Sequence, residues 1–350
     1  MEFLTCFFVF LVLLSLLDLF KIQEIIKKII FYIVGFAMFI IAGFRYGDKD
    51  YLNYIKYYEW INPINDFNYY ELKNVEIGHV LLNSIYKYFN LDFIYVFLTI
   101  SFLSLGLFLN YFKNYKYKFS GLLIYFSHLY LLRDLMQIRA GLTANILLYS
   151  YRYILERKFY SFITIVFFAS LFHYAALIFI PFYFLFPWLI QKNKMIYILL
   201  SGFIFGLILN QDLLRTVFYK LGIDRINIYL SYGNSEFKEL GLLNPVLIKN
   251  TLLFFMVYWK RDMLFEKIKK IDVYFISIGI ASFWLSTFNN YSLFAGRTAT
   301  FFSSIEIVLL PCIFYIIPSK FVCWIIIVMF SIIAFLPKFE IFKELGFYFL

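Results

Sequence analysis

The chain has 350 residues, of which 63% are hydrophobic and only 15% charged, against a charged share of about 25% in ordinary soluble proteins. A water-soluble core cannot absorb that much apolar surface, which excludes a soluble enzyme. The net charge of +10 gathers in no soluble domain that could follow a phosphate backbone, so nucleic acid is not an expected partner.

Crossing the hydrocarbon takes about 20 apolar residues per helix, and the length has room for roughly ten to twelve crossings. Apolar runs at residues 3–20, 29–44, 93–111, 119–132, 140–153, 160–172, 174–190, 195–209, 246–259, 273–288, 298–317 and 321–336 predict an all-α, polytopic membrane protein of about 12 spans. Glu2 precedes the first run where a signal peptide would be basic, and no small-residue cleavage site follows, so the run reads as a membrane helix. The run at 160–172 is short enough to be tilted, broken or partly re-entrant.

Cytoplasmic loops should carry the excess of Lys and Arg, and alternate loops do. Placing residues 21–28, 113–118, 152–158, 191–194, 260–270 and 320 inside gives a balance of about +11 there and about −1 outside. Both termini are then extracytoplasmic, and the two longer connections, 45–92 and 210–245, lie outside. Leu213, Leu214, Val217, Phe218 and Leu221 form a helical apolar stripe in the second, as in an interfacial helix. No repeat or low-complexity linker divides residues 1–350, which read as one transmembrane domain. Cys6, Cys312 and Cys323 lie in apolar runs without metal-ligand spacing and read as packing residues.

Phosphate loops, a strand-borne GxGxxG, HExxH and GxSxG are absent from the sequence, so no cofactor is expected. The informative residues are polar ones near span ends, where a charge must pair, face water or meet a ligand. After the second span, Arg45, Asp48, Asp50, Tyr51 and Tyr54 crowd a cation, two carboxylates and rings into ten residues. Rings stack on sugar faces and carboxylates accept from hydroxyls, although a solvated loop with an aromatic belt has the same composition. Asp48-Lys49-Asp50 spells the DxD by which sugar transferases hold a metal-bound nucleotide. Nucleotide sugars are cytoplasmic and this loop is expected outside, so no metal site is predicted.

Arg133, Asp134, Gln137 and Arg139 follow the fourth span, with Ala140, Gly141 and Ala144 permitting close helix approach. Arg139 at a helix N-terminus suits a phosphate. The alternative is an Arg133–Asp134 pair with Arg139 snorkelling to headgroups. His173 stands between two apolar runs, able to accept a proton or simply to be hydrogen-bonded. Arg297 opens the eleventh run, with Thr300 and Ser304 continuing a polar stripe. Glu306 falls about half a turn away on an ideal helix. At that depth an acid marks a functional site unless another helix pairs with it.

Read serially, Phe44-Arg45-Tyr46-Gly47 with Asp50-Tyr51 and Tyr54, Glu76-Ile77-Gly78, Gln137-Ile138-Arg139-Ala140, Leu171-Phe172-His173-Tyr174-Ala175, and Arg297 with Phe301, Phe302, Glu306 and Pro311 resemble the EpsG/Wzy-type family of membrane polysaccharide polymerases. That family reads Gly-x-Asp-Tyr after its arginine. Here Lys49-Asp50-Tyr51 follows Asp48, so either Asp48 or Asp50 can hold the acidic role.

The resemblance implies a glycosyltransferase without cofactor or metal that moves a growing O-antigen, capsule or exopolysaccharide glycan from undecaprenyl pyrophosphate to another lipid-linked repeat. The setting it implies is the outer face of the bacterial cytoplasmic (inner) membrane. Arg45, Arg139 and Arg297 would hold the pyrophosphate. Tyr51, Tyr54, Glu76 and Glu306 would hold the glycan, and His173, Asp48 or Asp50 would take the acceptor proton. The partners would be the undecaprenyl-pyrophosphate-linked oligosaccharide and membrane lipid, with a chain-length regulator and a flippase. The rivals are a flippase of lipid-linked sugars and another outward-facing lipid-linked transferase or ligase.

Overall fold

A computed structural model describes residues 2–48, 50–66, 75–191, 193–209 and 240–345, together with 213, 216, 219, 220 and the pair 348–349. In chain order the helices are α1 (Glu2–Ser15), α2 (Glu24–Gly43), α3 (Tyr51–Trp60), α4 (Ile77–Tyr88), α5 (Ile94–Phe112), α6 (Lys118–Ile124), α7 (Leu131–Arg133), α8 (Ile138–Leu147), α9 (Ser150–Leu155) and α10 (Phe159–Ser170). They continue with α11 (Phe179–Leu189), α12 (Lys194–Ile208), α13 (Pro245–Lys267), α14 (Ile271–Thr287), α15 (Ser292–Ser303), α16 (Glu306–Leu309), α17 (Ile313–Ile316) and α18 (Lys320–Leu345). The one pairing of strands among the described residues is an antiparallel bridge of two-residue strands, β1 (Arg45–Tyr46) and β2 (Tyr348–Phe349), which sets Arg45 opposite Phe349. The stripe expected over 213–221 falls largely outside the described residues.

Among the described residues, three helices are singly long and apolar enough to cross a membrane, at Glu24–Gly43, Ile94–Phe112 and Lys320–Glu344, and the pair Phe294–Ser303 and Glu306–Ile316, bent by 46°, makes a fourth if counted as one span. Of the other expected spans, several are shorter apolar helices, at Phe159–Ser170, Tyr174–Leu189, Lys194–Ile208 and Ile271–Thr287, and two are interrupted. Residues 119–132 contain a π-helical stretch at Tyr125–Tyr130, and residues 140–153 break at Leu148–Tyr149 between α8 and α9. A π turn displaces carbonyls from the regular ladder, and there the Lys338 ammonium of α18 donates to the Ser127 carbonyl. The expected outer loop 45–92 is itself folded, since it contains α3 and α4.

The helices pack into two compact units. The first comprises Met1–Ser150, Tyr160–Leu177 and Leu310–Leu350, and the second Tyr151–Phe159 and Ile178–Leu309. In the first, α2 buries Phe31, Val34, Gly35, Met38 and Ala42 at helical spacing and leaves Ile33 and Phe36 exposed, an apolar outer face suited to lipid. Its acidic Glu24 lies in the first turn, where the helix dipole favours it. Trp324 Nε1 donates to Ser15 Oγ at 2.8 Å, tying α18 to α1. Cys312 and Cys323 are buried, whereas Cys6 is exposed on α1.

In the second unit α14 is buried along nearly its whole length, packed by α12, α13 and α15. Asn289 Nδ2 closes one end by donating to the Gly206 carbonyl at 2.9 Å.

Candidate functional site

The site in the first unit begins at the end of α2. Arg45 is fully buried and its Nε donates to Asp48 Oδ2 at 2.8 Å, its Nη1 to the Ala42 carbonyl at 2.8 Å. Its guanidinium lies 4.2 Å from the centre of the Phe97 ring. The chain turns between these partners at Gly47, whose φ of +82° belongs to the left-handed region that glycine enters without steric cost. Asp48 Oδ1 then accepts from the Asp50 backbone N–H at 2.9 Å, which sets Asp50 at the N-cap of α3. Burial raises the pKa of Asp48, and the adjacent Arg45 charge opposes that rise. The two carboxylates left open by the sequence therefore differ: Asp48 is closed within a buried ion pair and Asp50 is half-buried.

Tyr51 and Tyr54 point inward from α3, packed with Phe97, Ile138 and Leu142, and Phe172 closes over the same cluster. They form the floor of the site; on the same helix Tyr57 is half-buried. Burial pushes the Tyr54 hydroxyl pKa up to about 12. The C-terminal carbonyls of α3 are held by Lys87 of α4, whose Nζ donates to Glu59 and Ile61 at 2.8 Å each.

Glu76 caps the start of α4 and forms an ion pair with Arg139, near the start of α8. The Arg139 guanidinium also lies 5.8 Å from the Tyr54 ring centre and 5.7 Å from that of Tyr57. His79, one turn along α4 from Glu76, meets the edges of both rings at centroid distances of 5.6 and 6.3 Å. It is fully buried, and neither ring nitrogen has a hydrogen-bond partner. Burial, with the Arg139 charge second, holds its pKa well below the usual value, so the ring is neutral.

Two close backbone approaches hold this assembly. Gly78 N donates to the Leu171 carbonyl at 2.8 Å, and a Cβ at Gly78 would stand 2.7 Å from that oxygen. The turn carrying Phe172 and His173 is thereby set beside the start of α4. Gly141 lies so close to the Arg133 backbone that a Cβ would be 2.8 Å from its carbonyl oxygen. His173 is half-buried, its Nδ1 accepting from the Ala175 N–H at 3.3 Å.

Arg133 meets Gln137, while Asp134 accepts from Ser104 Oγ at 2.5 Å and Tyr125 Oη at 2.7 Å. Burial raises the Asp134 pKa to about 6.

The first unit thus gathers Arg45, Asp48, Asp50, Tyr51, Tyr54, Glu76, Arg139 and His173, drawn from four separate stretches of chain. Arg297 and Glu306 belong to the second unit. Arg297 is half-buried on α15. The hydroxyls expected to extend its polar stripe bond back to their own helix, Thr300 Oγ1 to the Gly296 carbonyl at 2.6 Å and Ser304 Oγ to Phe301 at 2.9 Å. Such back-bonding satisfies a hydroxyl without a ligand. Glu306 is buried and pairs with Lys249 of α13, the structural alternative open for an acid at that depth.

His79 and Tyr57 carry no motif of their own. The available signal was positional: an N-capping Glu76 places a residue three further on along the same helical edge.

Residues 28–348, nearly the whole chain, match the model of the EpsG family. Neither the search of curated proteins nor that of solved structures finds a match.

Proposed function

Because the chain belongs to the EpsG family, polysaccharide-polymerase-type membrane proteins, we propose that it polymerises lipid-linked oligosaccharide repeats. The glycan would pass from undecaprenyl pyrophosphate to the terminal hydroxyl of a second lipid-linked repeat, at the outer face of a bacterial cytoplasmic membrane. The observation that carries this reading is the convergence of Arg139, Glu76, Asp50, His173 and the Tyr54–Tyr57 rings on one unit.

In this reaction the bond between the anomeric carbon and the phosphate oxygen breaks, and a glycosidic bond forms to the acceptor oxygen. Charge grows on the departing diphosphate, and a guanidinium fork matches it in geometry and sign. We assign that role to Arg139, which exchanges Glu76 for the diphosphate when substrate binds. Glu76, released, accepts from sugar hydroxyls, and the half-buried Tyr57 ring supports a sugar face. Arg45 and Asp48 act on this reading as a strut: their charges neutralise each other and hold Asp50 at the head of α3. The acceptor proton goes to His173 or Asp50, both half-buried.

The buried Lys249–Glu306 pair favours a second reading, a transporter of lipid-linked sugars, since transporters place charges at depth. Deleting the gene distinguishes the two. Loss of the polymerase collapses a surface polysaccharide ladder to a single repeat still joined to its acceptor; loss of a flippase leaves no repeat attached at all.

A further inference from the structure

The second unit contains a cavity that the polymerisation site does not use. It is a half-open cavity of about 740 Å³ whose lining includes Asn193, Tyr258, Trp259, Lys260, Arg261 and the carboxylate of Asp262, with Met195, Ile196 and Phe275 also in the wall. Phe275 lies ten residues before Leu285 on α14, about 15 Å along a helix. Leu285 packs with Ala295 and Ala299 of α15, so the cavity and Arg297 stand toward opposite ends of this unit.

Three features of the cavity favour an anion. The first is the start of α12. Its first turn has no acid, Lys194 opens it, and the N-capping Asn193 makes no side-chain bond to the helix. The Asn193 carboxamide oxygen accepts from Tyr258 Oη at 2.8 Å. Asn193 itself is held at φ +65°. Met195 and Ile196, in that first turn, line the cavity; the Lys194 and Ile196 N–H groups donate to the Gln191 and Asn193 carbonyls, so this end offers the positive pole of the α12 dipole rather than a set of free donors.

The second feature is the backbone of α13, which leaves helical geometry at Lys260 with φ −116° and ψ 16°. The break stands just past the apolar run 246–259 and brings Lys260 and Arg261 to the cavity wall. Arg261 is oriented by Asp272 at 2.6 Å and stacked over Phe275, whereas Lys260 is exposed. The third is Trp259, 72% exposed beside the break, a ring of the kind that marks headgroup depth.

The geometry points to a binding site for the phosphate of an anionic lipid headgroup, at the end of the unit that carries Lys194, Lys260, Arg261 and Lys267. Lys260 holds the phosphate, with the positive pole of α12 beside it, while Trp259 lies against the glycerol and upper acyl chains. This site does not depend on the polymerase reading.

The test titrates the purified full chain in a neutral detergent with dioctanoyl phosphatidylglycerol, dioctanoyl phosphatidylcholine and inorganic phosphate. The anionic lipid is expected to bind at least ~10-fold more tightly than the zwitterionic one. The Trp259→Leu/Lys260→Gln double variant should weaken it by ~10-fold or more, and Lys56→Gln, a lysine exposed on α3, should leave it unchanged. Should the double variant elute as aggregate, Lys260→Gln alone carries the same expectation. Equal affinities for the two lipids, or unaltered binding in a monodisperse variant, would overturn the site. Inorganic phosphate binding as tightly as the anionic lipid would overturn the lipid as its source.

Discussion

At the scale of single residues, the ionic partners divide into a fully buried pair and a partly exposed one. Arg45 and Asp48 have no exposed side-chain surface, so removing one partner strands a buried charge at a cost of about 3–5 kcal/mol. Asp48→Asn is therefore expected to lower thermal stability in detergent markedly, whereas Asp50→Asn, at a half-buried position, should reduce polymer. Arg139 and Glu76 retain 21% and 10% side-chain exposure, which leaves the guanidinium a path to a ligand. Arg139→Ala should abolish polymer at normal protein level. Full-length polymer from that variant, seen on a gel of surface polysaccharide, would end the pyrophosphate assignment. His173→Ala carries the same readout for the proton acceptor.

Among the elements, α3 and α4 decide the site, because they fold what composition suggested was an outer loop. The approach of Gly78 to the Leu171 carbonyl has no room for a methyl group, and overpacking of this kind costs typically about 1–3 kcal/mol. Gly78→Ala should thus lower both stability and polymer yield, since the His173 turn is set against α4 through that approach.

The turn after α7 titrates in a defined direction. The pKa of Asp134 is raised to about 6 in the fold from an unfolded value near ~3.9. The folded chain therefore binds the proton more tightly, and the stability this confers is complete below about pH 4 and lost as pH rises through about 6. Asp134→Asn should flatten that segment of the stability profile, measured by thermal melts at stepped pH.

On the scale of the whole molecule, the charge asymmetry makes the sharpest prediction. Arg139 and Arg297 should both be reachable from the non-cytoplasmic face, as read by membrane-impermeant labelling of single cysteines placed beside them in a cysteine-free chain. Labelling from opposite faces would overturn the predicted orientation of the loops. The span count separates pattern from geometry: twelve apolar runs are written in the chain, but among the described residues only three helices reach crossing length unbroken. Hydropathy counts apolar residues and is blind to the π turn at Tyr125–Tyr130, the break after Leu147, or the bend before Glu306.

Composition alone determined that this is a membrane protein, because so apolar a chain has no stable arrangement in water. The serial motifs determined the family, since each stands at a recognisable place along the chain. What only the tertiary structure decided is which charges neutralise one another. Asp48 and Asp50 are equivalent in the sequence, yet the left-handed turn at Gly47 aims one carboxylate at Arg45 and leaves the other at a helix end. His79 entered the site only through packing, since the meeting of residues 54, 79 and 139 depends on how helices approach across space, which hydrophobic periodicity does not encode.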